Sequence, residues 1–398
     1  MSKSIHFFSQ TVFGQLTSLI DRKLIEECVQ QTRSDRYCKG FTTKDHLISM
    51  LFSSLSQCSS LRDVVAGCLG LLGKKEQIGL RHLPRKSTLS DANAVRTPKV
   101  FEKIYQGLLR HYRPFITDSR LKMQLDNKLF ILDSTSISLF KDILKSVGKK
   151  PVSGRAKGGI KAHVLVNASD MLPELVWFTS AAASDIPLLD KIPYKKDAVY
   201  VFDKGYIDYS RWEKISLAGS YFVTRLKDKT IYQSREELDI ADDVHPGILK
   251  DEMIDLTDRK NKDRKIRFRR VAFWDEKENR LLVFVTNMLE VKPDQIADIY
   301  KQRWQIETLF RSLKQNFPLK YFLGDNQNAI IIQIWSALIA NLLLRIIAEK
   351  ITRTWAYSNL VSFIRIHLFN FINLISFLND PEKDWEYEFQ NQLSLFPT

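Results

Sequence analysis

Tyr300, Arg303, Glu307 and Lys314 stand at offsets 0, 3, 7 and 14 in the segment YKQRWQIETLFRSLK, residues 300–314. On one helix, at about 100° per residue, their side chains fall within an arc of roughly 60°. Ile299, Ile306, Leu309, Phe310, Leu313 and Phe317 fill the adjacent arc, the face expected to pack on a core. A carboxylate flanked by a phenol, a guanidinium and an ammonium suits a metal-bound phosphodiester. The acid holds a cation while the basic groups take the phosphate oxygens. An ordinary amphipathic helix with its polar edge in water carries the same stripe, so its meaning depends on the rest of the chain.

Two further acids stand out by position. Asp133 follows the apolar run LFIL and precedes Ser134 and Thr135; Asp203 follows AVYVF and precedes Lys204 and Gly205. An acid directly after a central strand emerges at the edge of the sheet, where open α/β sheets place their sites. Each alone is also a common turn or cap residue. Together with Glu307 they form three acids on two strand ends and one helix. Such a set could hold two divalent cations about 4 Å apart, one activating the attacking oxygen and one stabilising the leaving oxygen of an in-line displacement. Mg²⁺ fits, because a few carboxylates, water and substrate phosphate complete its octahedron.

The elements that must position these groups change character along the chain. Residues 1 to about 115 read as helical. One helix is expected from Thr43 to about Gln57 and another from Ser60, where Ser60 and Asp63 have capping-box spacing. RHLPRKSTLSDANAVR, residues 81–96, suggests two short helices around a tight turn, with Arg85, Lys86, Asn93 and Arg96 near the second. That pattern fits a helix-turn-helix DNA reader and equally an ordinary helical hairpin with a basic surface.

From about residue 128 come short β-branched and aromatic runs: KLFILDSTSISLF, KAHVLVNA, ELVWFTS, AVYVFDKGY and SYFVTRLK. Helical segments at 184–192 and 207–218 interleave with them, so a mixed α/β sheet is expected. Residues 226–290 add further strand-like runs and TDRKNKDRKIRFRR, residues 257–270, which holds eight basic residues. This is either a solvated hairpin or, beside Phe268, Phe273 and Trp274, a surface that binds phosphates and stacks a base. The most apolar stretch, residues 329–347, is interrupted by Gln333 and Asn341 and carries Arg345 near its end. It reads as a buried helix and not as a membrane span.

Composition narrows the function classes. At 398 residues and 44% hydrophobic content the chain can build two or three domains. A formal net charge of +14 favours a polyanionic partner such as nucleic acid. Cys28, Cys38, Cys58 and Cys68 lack the tight pairing of zinc sites and the density of a disulfide scaffold, which points to free thiols in a reducing cytoplasm. The first fifteen residues lack the apolar core of a signal peptide. There is no GxxxxGK[ST] loop, no HExxH and no GxSxG, and Gly158–Gly159 lacks a dinucleotide-site context, so no nucleotide cofactor is expected.

FILDSTSISL, VYVFDKGY and YKQRWQIETLFRSLK together resemble the acid–acid–glutamate core of bacterial insertion-sequence DDE transposases. More narrowly they resemble the branch with a Tyr-x2-Arg-x3-Glu-x6-Lys signature, matched at every spacing by Tyr300, Arg303, Glu307 and Lys314. FGQLTSLIDRK, DRYCKGFTTKDHLISMLFSSLS, SSLRDV and RKSTLSDAN resemble the helical domain that precedes this core, and GGIKAHVLVNAS and NAIIIQIWSALIANLLL also match in style. The resemblance covers nearly the whole chain.

It implies an α/β, ribonuclease H-like mixed sheet with a β-rich insertion at about 226–290. A helical N-terminal DNA-binding domain over 1–120 would precede a catalytic domain over 126–350, and a helical segment over 351–398 would follow. It implies Asp133, Asp203 and Glu307 as the metal-binding triad for two Mg²⁺ ions, with Mn²⁺ substituting. Tyr300, Arg303 and Lys314 would contact the terminal phosphates of the element. Trp274 is a candidate for holding a flipped base, and Lys161 and His163 sit where basic or polar residues approach DNA, though a core-facing strand histidine is equally compatible. The implied activity is cut-and-paste transposition of double-stranded DNA by a homodimer, without a membrane. A nuclease that cuts without joining, or a catalytically silent DNA-binding repressor, are the rival readings.

Overall fold

The computed structural model describes residues 10–69, 79–116, 128–138, 159–258, 261–319 and 321–382. The chain opens with α1 (Val12–Thr17), α2 (Arg22–Thr32), α3 (Thr43–Leu55), α4 (Leu61–Leu69), α5 (Lys86–Val95) and α6 (Lys99–Ile116). Their starts are set by side chains that satisfy orphan N–H groups: Thr11 for α1, Asp21 for α2 and a Thr42/Asp45 capping box for α3. The expected Ser60/Asp63 box forms too, with Asp63 N donating to Ser60 Oγ at 3.2 Å and Ser60 N to Asp63 Oδ2 at 3.0 Å. On α6 the residues Val100, Phe101, Ile104, Tyr105 and Leu108 recur at helical spacing and are all buried.

The sheet follows: β1 (Leu129–Ser138), β2 (Gly159–Asn167), β3 (Pro173–Ser180), β4 (Val199–Phe202), α7 (Tyr209–Leu217), β5 (Tyr221–Arg225), β6 (Gln233–Glu237), β7 (Ile248–Thr257), β8 (Lys265–Asp275) and β9 (Arg280–Thr286). The expected helical segment at 184–192 is a 3₁₀ turn, Ile186–Lys191. One nine-stranded sheet runs β3-β2-β1-β4-β5-β9-β8-β7-β6. β4 is parallel to β1 and β5 is parallel to β4; every other pairing is antiparallel. The segment 226–290 therefore continues the same sheet from β5 through β9, because the exposed edge of β5 finds its partner there.

Alternation along the strands splits the sheet's two faces. Phe130, Leu132, Tyr200, Phe202, Phe222 and Phe268 pack around Trp212 of α7 on one side. Val199, Val201, Val223, Val271 and Phe284 pack on the other against α8 (Pro293–Lys301), through Ile296 and Tyr300. Beyond them lie α9 (Trp304–Asn316), α10 (Gln327–Lys350), α11 (Tyr357–Ile366) and α12 (Leu374–Asn379).

The largest core joins Val12 of α1 to Leu378 of α12 and takes in Ile131, Val164, Leu309 and Leu338. The packing of this core therefore crosses both expected divisions, at 120 and at 350. Tyr105 of α6 donates to the Pro173 carbonyl at 2.8 Å and Arg365 of α11 to the Leu55 carbonyl at 3.2 Å. Of the expected C-terminal segment, residues 383–398 lie outside the described residues.

Helix α10 is long and apolar enough to cross a membrane, but it is almost wholly covered by protein. Its two interrupting residues explain themselves. The Gln333 amide donates to the carbonyls of Pro318 and Tyr321 at 2.6 and 2.7 Å and accepts from Leu323 N at 2.9 Å, while Asn341 accepts from the Tyr357 hydroxyl at 2.6 Å.

Candidate active site

The stripe at 300–314 does not lie on one continuous helix. α8 ends at Lys301, α9 begins at Trp304, and Gln302 and Arg303 form a tightened turn with i→i−3 bonds to Ile299 and Tyr300 at 3.2 and 3.0 Å. Both residues keep right-handed helical angles, so the stripe survives the break. Ile306, Leu309, Phe310, Leu313 and Phe317 are buried as their spacing predicts.

β1 does not end at Asp133; it runs on to Ser138, and the carboxylate projects from mid-strand on the face of Val164, its partner on β2. β4 does end at Phe202. Asp203 then precedes a 3₁₀ turn, Lys204–Tyr206, with no capping bond from its side chain, so it is free of the duty that turn acids usually perform.

These acids meet the 300–314 segment. Arg303 spans Asp133 and Glu307, donating to Asp133 Oδ2 and to Glu307 Oε1 at 2.9 Å each. The Tyr300 hydroxyl donates to Asp203 Oδ1 at 3.4 Å, and Lys314 Nζ reaches back to the Ser136 carbonyl at 3.2 Å. An open groove of about 490 Å³ lies alongside, lined by Asp133, Ser134, Glu307, Arg311 and Lys314. Burial pushes the Asp133 carboxyl up to about 6; the charges of Asp203 and Glu307 add to that push, while the Ser134 N–H and Arg303 oppose it. Burial likewise raises the Tyr300 phenol to about 12 and lowers the Lys314 ammonium.

An acid held near 6 with two carboxylates close by calls for positive charge, and hard oxygen donors of this kind suit a divalent cation. As the side chains stand, no group of three or more His, Cys, Asp or Glu among the described residues converges closely enough to hold an ion. Arg303 explains the spacing, since its guanidinium fills the place between Asp133 and Glu307. By chemistry the three carboxylates are hard oxygen donors of the kind a divalent ion takes, with Arg303 now bonded to two of them.

The other expected contacts fall elsewhere. Lys161 and His163 sit opposite Ser136 and Ser134 in the β1–β2 register, on the face away from Asp133. Lys161 pairs with Asp185 at 2.7 Å. His163 is fully buried, held by Thr179 Oγ1 at 2.7 Å, and burial lowers it to about 4, so it is the core-facing histidine. Trp274 follows the core residue Phe273 on β8 and so points to the face opposite Tyr300, three strands from β4. Phe268 and Phe273 are core residues and cannot stack a base; of the three aromatics beside the basic run, Trp274 alone is partly exposed.

Arg85 and Lys86 are exposed at the start of α5. Arg96 is a correction: its guanidinium is buried and bonds the Phe41 carbonyl at 2.9 Å and Cys38 Sγ at 3.0 Å, so it braces a loop and is withdrawn from any DNA surface. Asn93 is equally internal, paired with His46 at 2.7 Å. All four cysteines are free thiols.

Three site neighbours were missed in the sequence. Tyr206 is buried and hydrogen-bonded to Ser134 beside Asp133; its place three residues after Asp203 was a usable signal. Arg311 lines the groove one turn after Glu307. Arg225 ends β5 close enough for its charge to act on Tyr300, and its Nε has no hydrogen-bond partner among the described residues.

Residues 124–343 match the family described as Transposase DDE domain, and residues 9–81 match a domain of unknown function. The chain belongs to the DDE transposase family, whose members cleave DNA and transfer its strands. A Sinorhizobium fredii protein named as a transposase is 33% identical over 270 residues, covering 67% of this chain and 72% of its own length. Insertion-sequence transposases are also among the relatives. A Synechocystis protein named for element IS4SA is 26% identical over 301 residues, 70% of this chain and 79% of its own. A piggyBac transposase synaptic complex with hairpin DNA aligns over 98% of this chain and 84% of its own, at 13% identity and a TM-score of 0.37.

Proposed function

We propose that this chain is the transposase of an insertion sequence, from the branch bearing the Tyr-Arg-Glu-Lys signature, and that it excises and reinserts DNA by cut-and-paste. Asp133, Asp203 and Glu307 are its catalytic acids. The observation that carries this reading is the meeting of those acids, from β1, β4 and α9, around Arg303 and Tyr300 beside an open groove. The order β3-β2-β1-β4-β5, with only β1, β4 and β5 parallel, supports a ribonuclease H-like core.

The carboxylates would hold two divalent ions, Mg²⁺ or Mn²⁺, which when bound activate an attacking oxygen and offset charge on a leaving one. Arg303 is bonded to two acids that line the groove, so it exchanges a carboxylate partner for a phosphate oxygen when DNA enters. Lys314 and Arg311 line that groove with positive charge, and Tyr300 orients Asp203 through its hydroxyl. Arg85 and Lys86 add a second basic region for double-stranded DNA. Two element ends must be brought together, so a homodimer is the working form in the synaptic complex.

Purified protein should be mixed with DNA from just outside its reading frame in Mg²⁺ or Mn²⁺, beside single Ala variants at Asp133, Asp203 and Glu307. Metal-dependent joined products, lost in all three variants, are expected. Cleavage without joining would overturn the transposase in favour of a nuclease, and binding without either would leave a DNA-binding protein.

A further inference from the structure

The loop between α2 and α3 presents three cations and an aromatic ring on a frame that is held from inside. Asp35 Oδ1 accepts from Thr43 N at 2.7 Å and Ser34 Oγ bonds Thr43 Oγ1 at 2.8 Å, which ties one limb to the start of α3. The buried Arg96 guanidinium bonds the Phe41 and Thr42 carbonyls and Cys38 Sγ, which ties the other limb to the end of α5. α5 is in turn fixed to α3 by the buried His46–Asn93 bond.

What this frame displays is basic. Arg33, Arg36 and Lys39 are exposed, and none has an ion-pair partner among the described residues. Tyr37 is 85% exposed, with the Arg36 guanidinium 4.9 Å from its ring centre. Its φ of 65° is left-handed, a conformation that costs free energy in any residue bearing a Cβ. Tyr37 does not cap a helix, unlike Arg33, whose φ of 52° ends α2. Loop and helix enclose a groove of about 680 Å³ whose α5 wall offers Thr88, Asp91, Ala92 and Val95, mostly small side chains. Three unpaired cations against one acid, Asp91, make the groove cationic.

We infer that this loop is a docking surface for the phosphate backbone of duplex DNA, separate from the acid-bearing groove. Arg33, Arg36 and Lys39 take phosphates, and the ring of Tyr37 packs on the sugar wall between them. The inference rests on the transposase reading for DNA as partner and adds where the N-terminal helices grip it. A second copy of this chain is the poorer occupant, because at +14 its surface is itself basic.

The test uses the full chain, a chelator to prevent cleavage, and a fluorescent duplex taken from the DNA flanking the reading frame. Anisotropy is read across a salt series. Each lost phosphate contact should flatten the plot of log affinity against log salt by about 0.9, so Arg33→Ala/Arg36→Ala/Lys39→Ala should lower the slope by roughly two to three. Tyr37→Gly relieves the left-handed strain, so its Tm should hold or rise while affinity falls by about tenfold. An unchanged slope in a folded triple variant would overturn the surface, and a lower Tm in Tyr37→Gly would reassign Tyr37 to structure. If the wild type shows no salt-dependent binding, the DNA reading fails with it. Wild-type binding with an unaltered triple variant defeats the loop assignment alone.

Discussion

Across β7 and β8, Arg269 meets Asp251 at 2.6 Å and Arg270 meets Glu252 at 2.6 Å; across β1 and α9, Arg303 meets Asp133 and Glu307 at 2.9 Å. The ingredients are the same and the environments are opposite. Arg269 also donates to the carbonyls of Met288, Leu289 and Val291, and both its guanidinium and the Asp251 carboxylate are sealed from solvent. Arg303, like Arg270, leaves Nε without a partner among the described residues, but Glu307 opens onto the groove. The Arg269–Asp251 pair is a closed structural rivet, since both charges are buried and bonded to each other. The Arg303 set borders an open groove, and in the proposed function substrate takes it apart. Four arginines of the basic run at 257–270 are held by neighbouring acids, Arg267 by Asp255 and Arg264 by Glu213 besides the two above, whereas Arg303 is held by acids that border an open groove.

Breaking each set should separate their roles. Glu307→Gln keeps the size and loses the charge, so cleavage should fall by roughly three orders of magnitude, the equivalent of several kcal/mol of lost metal-assisted stabilisation, while DNA affinity is retained. Gel-based cleavage beside anisotropy checks this; loss of binding would make Glu307 structural. Next in size is the rivet. Arg269→Ala strands Asp251 in the core and should cost about 3–5 kcal/mol in urea unfolding, whereas Arg269→Met with Asp251→Leu should lie near wild type. A single variant as stable as wild type would dissolve the contrast.

Asp133 supplies a pH-dependent measure of the Arg303 set. Its folded value of about 6 exceeds the ordinary aspartate value of about 3.9, so the folded chain binds the proton first as pH falls. The charged carboxylate therefore weakens the fold at neutral pH, and the penalty is relieved between about pH 6 and pH 4. In chelator-containing buffer, Asp133→Asn should exceed wild type by on the order of 2 kcal/mol near neutrality and converge with it near pH 4. A constant difference across that range would mean Asp133 is not held high. The smallest effect is expected from Arg303→Ala, which should flatten the salt slope of DNA binding by about 0.9, one phosphate contact. An unchanged slope would leave Arg303 as a brace for the acids alone.

The acids were legible because strands announce themselves by β-branched and aromatic runs, and Asp133 and Asp203 stand directly after two of them. Tyr300, Arg303, Glu307 and Lys314 were legible by period, which a two-residue tightening of the turn leaves almost unchanged; that is also why the break at Gln302–Arg303 was invisible. Burial of basic residues was not legible. Arg96 and Lys161 look like surface cations in sequence, and only the folded chain supplies the carbonyls of Phe41 and Thr42 or the carboxylate of Asp185 that hold them. Nor could the run at 257–270 disclose that Asp251, Glu252 and Asp255 lie opposite it, because pairing partners depend on register between strands.

The route of the chain after β5 has a consequence for how this architecture can vary. It passes to the far rim of the sheet at β6, returns strand by strand to β9 beside β5, and only then enters α8. The exit lies next to the entrance, so residues 204–306 separate Asp203 from Glu307 in sequence without setting their separation in space. A hairpin added or trimmed at the β6 rim would lengthen or shorten the sheet at its free margin and leave the acids where they are.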